Sequence, residues 1–470
     1  MSGKNALRLT RKRSQDVDMT QGSIVKHIIT FAFPLLLGNL FQQLYNTVDT
    51  WVLGNYVSNN AYSAVGAVAP VVNMLIGAFM GLSAGAGVVI SQYYGAGKQE
   101  DVEKAVHTSI VLTLILSVFF TAVGLLLTPI MLGILNLHEN ATKDAQIYLS
   151  IYFSGLIGLM IYNMGAAILR AVGDSKRPFY FLVICALLNI GLDLLFVLVF
   201  EMGVDGVALA TILSQGISAV LVIITLFRTK SCVRLSFSKL KITMPIMKKI
   251  LGIGTPAALQ MAITAFSNVF VQAYITHFDV GMPSPDYMSG WTSYLKIDQL
   301  LFLPMQSIAL AVTTFVGQNL GKNQVERAKQ GVKKALIVSM SVSAVMMIPV
   351  LVFAPSIVGF LNKEPGVIKN GTMFLYWLTP FYLLCCFNQI YASALRGSGN
   401  SRIPMYIMIS SFVLFRQGYL FVMSRVWNEI IPIALSYPVG WLMCSLITAI
   451  YYHNVKLDKH RIVDDTPKTE

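Results

Sequence analysis

The sequence L-R-A-V-G-D-S-K-R-P at residues 169–178 returns as L-R-G-S-G-N-S-R-I-P at residues 395–404, 226 positions later. A second motif, Q-x-x-G, occurs at residues 92–95 and again at 318–321, with the same separation. One short match could arise by chance, but two matches at one separation indicate a duplicated chain. The sequence therefore predicts two structurally similar halves.

Apolar segments of membrane-spanning length surround these motifs. Of the 470 residues, 55% are hydrophobic and 12% are charged, about half the charged share of a soluble domain. This composition excludes a soluble enzyme, a disordered chain and a fibrous repeat. We expect an all-α membrane protein of twelve transmembrane helices. The expected spans are 24–53, 61–93, 106–132, 145–169, 178–200, 205–228, 250–277, 288–317, 335–360, 370–395, 403–425 and 430–453.

Each half then contains six spans, so the halves have the same orientation and form two six-helix lobes related by a parallel repeat. Repeats of this kind place a substrate site between the halves. The predicted organisation is a flexible cytoplasmic tail at 1–22, lobes at 23–228 and 250–455, a cytoplasmic linker at 229–249 and a second tail at 456–470.

The net charge of +13 comes from basic residues in short loops rather than from a nucleic-acid surface. Of the 35 Lys and Arg residues, 29 fall on the side that holds both tails and the repeated loops. Because positive residues concentrate in cytoplasmic loops, we expect both termini in the cytoplasm. The protein is expected to lie in the plasma or inner membrane, to bind no nucleic acid and to act as a monomer.

Four residues of the first lobe are candidates for binding a coupling ion. Ionisable residues are costly inside spans and indicate function by default. Asp49, Asp193 and Thr211 lie roughly 7–10 Å from the outer surface at 1.5 Å per residue, and Asn189 shares a helix face with Asp193. Their oxygens suit Na⁺ or a proton. We expect no other metal and no organic cofactor.

The second lobe lacks the counterparts of these residues. At a separation of 226, Asp49 corresponds to Ile275 and Asp193 to Tyr419. The second lobe has instead three other charges within its spans: Lys296, Asp298 and Arg416. Two interpretations stay open for these charges. In the first they are structural and form an ion pair that includes Arg416. In the second they lie in the transport pathway.

The repeated loops and two prolines complete the set of candidate residues. The loops predict a gate or a fixed turn, although simple positive-inside anchoring explains their charges as well. Their marked residues are Arg170, Gly173, Pro178, Arg396, Gly399 and Pro404. Pro34 in the first span and Pro256 in the seventh each remove a helix hydrogen bond, so we expect both spans to bend.

These features resemble those of the multidrug and toxic compound extrusion (MATE) family, in its DinF-like and NorM-like bacterial branches. The resemblance is carried by the twelve spans, both doubled loops and the segment L-Y-N-T-V-D-T-W-V-L-G at residues 44–54. It implies a secondary antiporter that expels organic, often cationic, drug-like compounds in exchange for Na⁺ or H⁺ by alternating access. It also implies a cation site at Asp49, Asn189, Asp193 and Thr211.

Two other functions remain as alternatives. A lipid-linked oligosaccharide flippase of the same superfamily needs several basic residues in a central cavity, and the sequence places only Lys296 and Arg416 inside spans. A membrane-embedded enzyme needs clustered catalytic groups, but the six histidines lie near loops or span ends. We therefore expect a transporter and not an enzyme.

Overall fold

The computed structural model describes residues 16–135, 139–280 and 286–463. Every regular element in these ranges is a helix. Eleven helical segments are long and apolar enough to cross a membrane, and two shorter helices joined by a 47° bend form a twelfth. The prediction of twelve spans is confirmed.

The first lobe contains seven helices for six spans, because one span is bent. These helices are α1 (Ile24–Val52), α2 (Asn59–Gly95), α3 (Gln99–Leu135), α4 (Glu139–Ser154), α5 (Leu156–Ala171), α6 (Lys176–Leu194) and α7 (Val204–Arg228). Short π-helical turns extend two of them, Leu53–Val57 after α1 and Leu195–Val199 after α6.

The second lobe repeats this order with more interruptions. Its helices are α8 (Met244–His277), α9 (Asp286–Gly321), α10 (Val325–Val352), α11 (Ala354–Leu361), α12 (Pro365–Leu378), α13 (Tyr382–Gly397), α14 (Arg402–Ile409), α15 (Arg416–Val426), α16 (Ile430–Ala434) and α17 (Ser436–Asn454). A 3₁₀ turn (Thr379–Phe381) joins α12 to α13, and a π-helical turn (Ser410–Phe415) joins α14 to α15.

Several helices begin earlier than the sequence predicted, and one of them changes the bounds of the linker. Helix α8 begins at Met244, six residues before the predicted start of the seventh span, because its first turns carry Lys248 and Lys249. A search for apolar runs ends at such charges, whereas a helix continues through them. Between α7 and α8 the non-spanning segment therefore covers residues 229–243, with one 3₁₀ turn at Phe237–Lys239.

Helices α2 and α8 join the two lobes through small residues. A Cβ atom added to Gly81 would overlap the backbone of Ala258, and one added to Gly85 would lie 2.5 Å from the backbone nitrogen of Gly254. Glycine therefore lets the two helix backbones touch, as small-residue ridges do in other membrane proteins. Both prolines predicted to bend their spans lie inside continuous helices, Pro34 in α1 and Pro256 in α8.

Candidate functional site

Four polar residues of the first lobe meet in one cluster, which we call the acid cluster (Asp49, Asn189, Asp193 and Thr211). The carboxyl group of Asp49 on α1 has the side chains of Asp193, Thr211 and Asn189 as its neighbours. The Thr211 hydroxyl donates to Asp49 Oδ2 at 3.5 Å and to the Val207 carbonyl oxygen at 3.0 Å. Three helices, α1, α6 and α7, thus bring together residues that are 162 positions apart.

Most oxygens of the acid cluster lack a donor. Asn189 and Asp193 are 0% exposed. Among the described residues, no hydrogen bond is made by Asp49 Oδ1, by either oxygen of Asp193 or by the side-chain amide of Asn189. Buried polar atoms are nearly always paired, because an unmade hydrogen bond in a dry site costs free energy. The acid cluster therefore contains four buried oxygens that the described side chains leave without a donor.

Residues that the sequence did not single out enclose this cluster. Tyr148 on α4 lies close to both acids, and it stacks on Tyr152 at a ring separation of 6.0 Å. Tyr45 lies one turn before Asp49 on α1. The spacing of four between Tyr148 and Tyr152 was a usable signal, since it places both rings on one helix face.

An apolar layer covers the acid cluster at the ends of its helices. The π-helical turns after α1 and α6 contribute Leu53 and Val197, which pack with Val52, Val204 and Val207 in one buried group. A π-helical turn inserts an extra residue into a helix and is frequent at functional sites. Here the turns begin four residues after Asp49 and two residues after Asp193, so they place apolar side chains beside the acids.

A central cavity lies next to the acid cluster. Its volume is about 150 Å³, and α1 contributes Pro34, Gln42 and Tyr45 to its wall. The opposite lobe contributes Met261 on α8 and Thr313 on α9, so the cavity lies between the two halves. This position agrees with the substrate site expected for a parallel repeat.

Two arginines of the repeated loops also line the central cavity. Arg170 lies in the last turn of α5 and Arg396 in the last turn of α13. The sequence placed both in loops outside the spans and counted only Lys296 and Arg416 as intramembrane cations. Both helices continue two residues beyond the predicted spans, so these arginines are helical, and their side chains line the cavity.

The glycines of the repeated loops do set tight turns. Gly173 has φ +87° and Gly399 has φ +100°, a backbone conformation that side chains with a Cβ rarely adopt. Asp174 Oδ1 then accepts from the backbone N–H of Lys176 and Arg177 at the start of α6. Burial raises the pKa of the Asp174 carboxyl above its ordinary value, and these hydrogen bonds oppose that shift.

The second repeated motif, Q-x-x-G, crosses between the lobes. Gln92 Nε2 donates to the carbonyl oxygen of Gly397, and Gln318 Nε2 donates to that of Ala171, both at 2.9 Å. Each glutamine therefore binds the repeated loop of the other lobe. These reciprocal bonds lie on what we call the tail side, the side that carries the residues before α1 and after α17.

The described parts of both predicted tails pack onto this crossing. Met19 N–H donates to Gln318 Oε1 at 2.9 Å, and Ile462 N–H donates to Gln92 Oε1 at 2.8 Å. Val17 lies against Gly173, and the carbonyl of His460 lies against Gly399. Residues 16–20 and 460–463 are therefore seated in the structure, while 1–15 and 464–470 lie outside the described residues.

The charged residues of the second lobe do not form one ion pair. Arg416 is 2% exposed and donates to Ser267 Oγ at 2.7 Å and Asn268 Oδ1 at 2.9 Å. Its guanidinium also lies over the Tyr437 ring, 4.9 Å from the centroid. In the described part of the chain no carboxylate pairs with Arg416. Its contacts are those of a structural cation.

Asp298 and Lys296 face different surroundings on α9. Asp298 Oδ1 accepts from the hydroxyls of Tyr382 and Tyr294 inside the second lobe. Lys296 is exposed, and Gln299, one helical turn beyond it, accepts from Gln43 Nε2 of α1 at 2.8 Å. Lys296 therefore lies on the face of α9 that is directed towards the first lobe.

Replacing Arg416 with Met is expected to destabilise the protein by about 1.5–3 kcal/mol, because the buried oxygens of Ser267 and Asn268 would lose a charged donor. Thermal unfolding in detergent measures the loss. The matched control is Arg425→Met, since Arg425 is exposed on the same span. An equal fall in Tm for both variants would contradict a structural role that is specific to Arg416.

The comparisons with known proteins agree with this architecture. The sequence profile of the MatE family matches residues 34–195 and 256–417, one match in each lobe. A probable multidrug resistance protein YpnP from Bacillus subtilis is 27% identical over 93% of this chain and 96% of its own. A probable multidrug resistance protein NorM from Thermotoga maritima is 28% identical over 86% and 87%.

The fold also matches a solved structure, a transporter of the MOP superfamily from Pyrococcus furiosus. Its TM-score is 0.88 at 22% identity, covering 94% of this chain and 98% of the other. At that identity the likeness concerns the fold alone. The profile match, by contrast, includes the greater part of both lobes and therefore the helices that carry Asp49, Asn189 and Asp193. The chain belongs to the MatE family of membrane transporters.

Proposed function

We propose that this protein is a secondary antiporter that exports small organic compounds in exchange for Na⁺ or H⁺. The observation that carries the proposal is the group of unpaired oxygens in the acid cluster, next to a central cavity between two lobes. The multidrug resistance proteins among its relatives support drug export over the flippase and enzyme alternatives.

The acid cluster provides the coupling chemistry. Asp49 and Asp193 are adjacent and enclosed, so two negative charges there require a compensating positive charge. A proton shared by the two carboxyls supplies it, and so does a Na⁺ ion bound by their oxygens together with those of Asn189 and Thr211. Either monovalent cation cancels one of the two negative charges and so relieves the repulsion between the carboxyls, and its departure restores that repulsion.

Helix α1 connects the coupling ion to the substrate. Tyr45 and Gln42 line the central cavity, and Asp49 follows Tyr45 by one turn on the same helix. A change of charge at Asp49 therefore acts on a helix that forms the cavity wall. Pro34, which also lines the cavity, removes one backbone hydrogen bond and gives α1 a point at which it can bend.

The orientation of the protein follows from its charge distribution. With 29 of 35 basic residues on the tail side, we infer that this side is cytoplasmic. The reciprocal bonds of Gln92 and Gln318 then form the cytoplasmic gate, and the repeated loops form its two halves. Lys296 lies on the face of α9 that is directed towards the first lobe, and we assign it to the transport pathway. We further propose that the protein acts as a monomer in the plasma or inner membrane.

Transport by the purified protein in liposomes tests the proposed function. A Na⁺ gradient and a pH gradient are imposed separately while the movement of an organic dye is followed. We expect dye movement under one of the two gradients to be at least tenfold faster than in control liposomes without a gradient. If the dye moved at the same rate with both gradients, with either gradient alone and without a gradient, the result would contradict antiport.

A further inference from the structure

We propose that Arg170 and Arg396 form an anion-binding subsite at the tail-side end of the central cavity, which binds a carboxylate or phosphate group of an amphipathic substrate. The inference rests on the proposed transport function and names the substrate class for it. It departs from the cationic compounds that the family resemblance implies. The observation behind it is the one-sided charge of the cavity wall.

The cavity wall contains positive charge without negative charge. Arg170 and Arg396 are the charged side chains among the described residues that line it, and no Asp or Glu is part of that lining. The other polar wall groups are hydroxyls, a thiol and side-chain amides, including those of Gln42, Asn163 and Gln215. An organic cation would therefore meet two guanidinium groups and no counter-charge.

Arg170 is available for a ligand. Its guanidinium makes no hydrogen bond or ion pair with any residue in the described ranges, and the titratable group that it interacts with electrostatically is the Tyr162 hydroxyl. That hydroxyl is itself engaged, because it donates to the carbonyl oxygen of Pro178 at 3.2 Å. Arg170 is half-buried and has no counterion among the described residues, so an anion that enters the cavity gains an interaction which the protein does not supply.

Arg396 is the equivalent residue of the second repeat. Its Nη2 donates to Ser393 Oγ, one turn earlier on α13, at 3.0 Å. This bond is to a neutral oxygen and leaves the remaining guanidinium donors for a ligand. Arginine presents its donors in a planar fork that matches a carboxylate or phosphate. The two arginines come from opposite lobes and line the same cavity, so together they give its wall positive charge from both halves.

The rest of the cavity suits the body of an amphipathic molecule. Met80, Met261, Phe179 and Leu182 provide flexible and aromatic apolar contacts on the wall. The acid cluster borders the cavity beyond Tyr45, and neither Asp49 nor Asp193 lines it. The coupling cation and the anionic substrate group therefore have separate sites, and an acidic substrate meets no repulsion from carboxylates in the wall.

Equilibrium binding of two dyes with opposite charge tests the proposal. Fluorescein is an anion and rhodamine 6G is a cation on the same xanthene frame. Fluorescence anisotropy with the full-length protein in lipid nanodiscs measures both affinities without any ion gradient. We expect Arg170→Gln and Arg396→Gln each to weaken fluorescein binding about tenfold or more, and to leave rhodamine 6G binding unchanged or stronger.

The control is Arg402→Gln, which removes an exposed positive charge from the same repeated loop outside the cavity. It is expected to bind fluorescein as the unmodified protein does. Unchanged fluorescein affinity in both Gln variants would overturn the proposal, and so would an equal loss for both dyes. The binding assay needs no ion gradient, so its outcome is independent of the transport assay. Charge-selective binding can be absent while antiport is observed in liposomes. Antiport can equally be absent while charge-selective binding is observed.

Discussion

Replacing Asp49 or Asp193 with Asn is expected to reduce ion-driven export by about 100-fold, which is in the upper range of coupling between two sites. Asparagine has nearly the shape of aspartate but carries no charge and takes up no proton. The variant cluster therefore keeps its packing and loses the charge that a coupling ion neutralises. Neither Asn189 nor Thr211, the other two members of the cluster, carries a charge that could replace the lost one.

Dye export from liposomes under the effective gradient, at matched protein levels, measures this result. The matched control is Asp101→Asn, the same substitution in the first turn of α3 on the tail side. We expect the control to retain full transport. Full ion-driven export by both cluster variants would show that the coupling ion binds elsewhere in the protein.

Replacing Gly95 with Ala is expected to separate the two lobes on the tail side and to reduce export at least tenfold. A Cβ atom there would overlap the backbone carbonyl of Gln318, and one at Gly321 would overlap that of Gln92. Backbone atoms cannot move aside as a flexible side chain can. Helices α2 and α9 must therefore part, and the reciprocal glutamine bonds between the lobes break with them.

Spin labels at the exposed positions Gln99 and Glu326, on opposite lobes, report this separation as a longer distance in Gly95→Ala. The control is Gly252→Ala in α8, since a Cβ atom there meets no atom within 4 Å. That variant should keep both the distance and the export rate. An unchanged distance distribution in Gly95→Ala would exclude the crossing as the contact that closes this side.

The sequence predicted the spans and the acid cluster because both depend on which residues enter the membrane. Apolar runs of about 20 residues reveal helices, and the rarity of acids within them isolates Asp49 and Asp193. The direction of a side chain depends instead on where each helix ends. Arg170 and Arg396 were assigned to loops because a hydrophobic run stops before them, whereas the helices do not.

The sequence also could not predict which backbone groups form contacts with distant segments. The segment at 16–20 carries the polar composition of a free tail, yet Val17 N–H donates to the Val172 carbonyl oxygen at 3.0 Å. Backbone donors are present at every residue except proline, so no residue pattern marks the ones that are used. The sequence also did not predict the π-helical turns beside the acid cluster, because such turns depend on how helices pack and have no residue pattern of their own.

The reciprocal glutamines have a consequence for biosynthesis. Gln318 binds Met19, 299 positions earlier, and Gln92 binds Ile462, 370 positions later. Contacts with such long separations form late, because both partners must first be synthesised. Until residue 462 has been added, Gln92 Oε1 lacks the backbone donor of Ile462. The crossing between the lobes therefore takes its final form only after the segment that follows α17 has been synthesised.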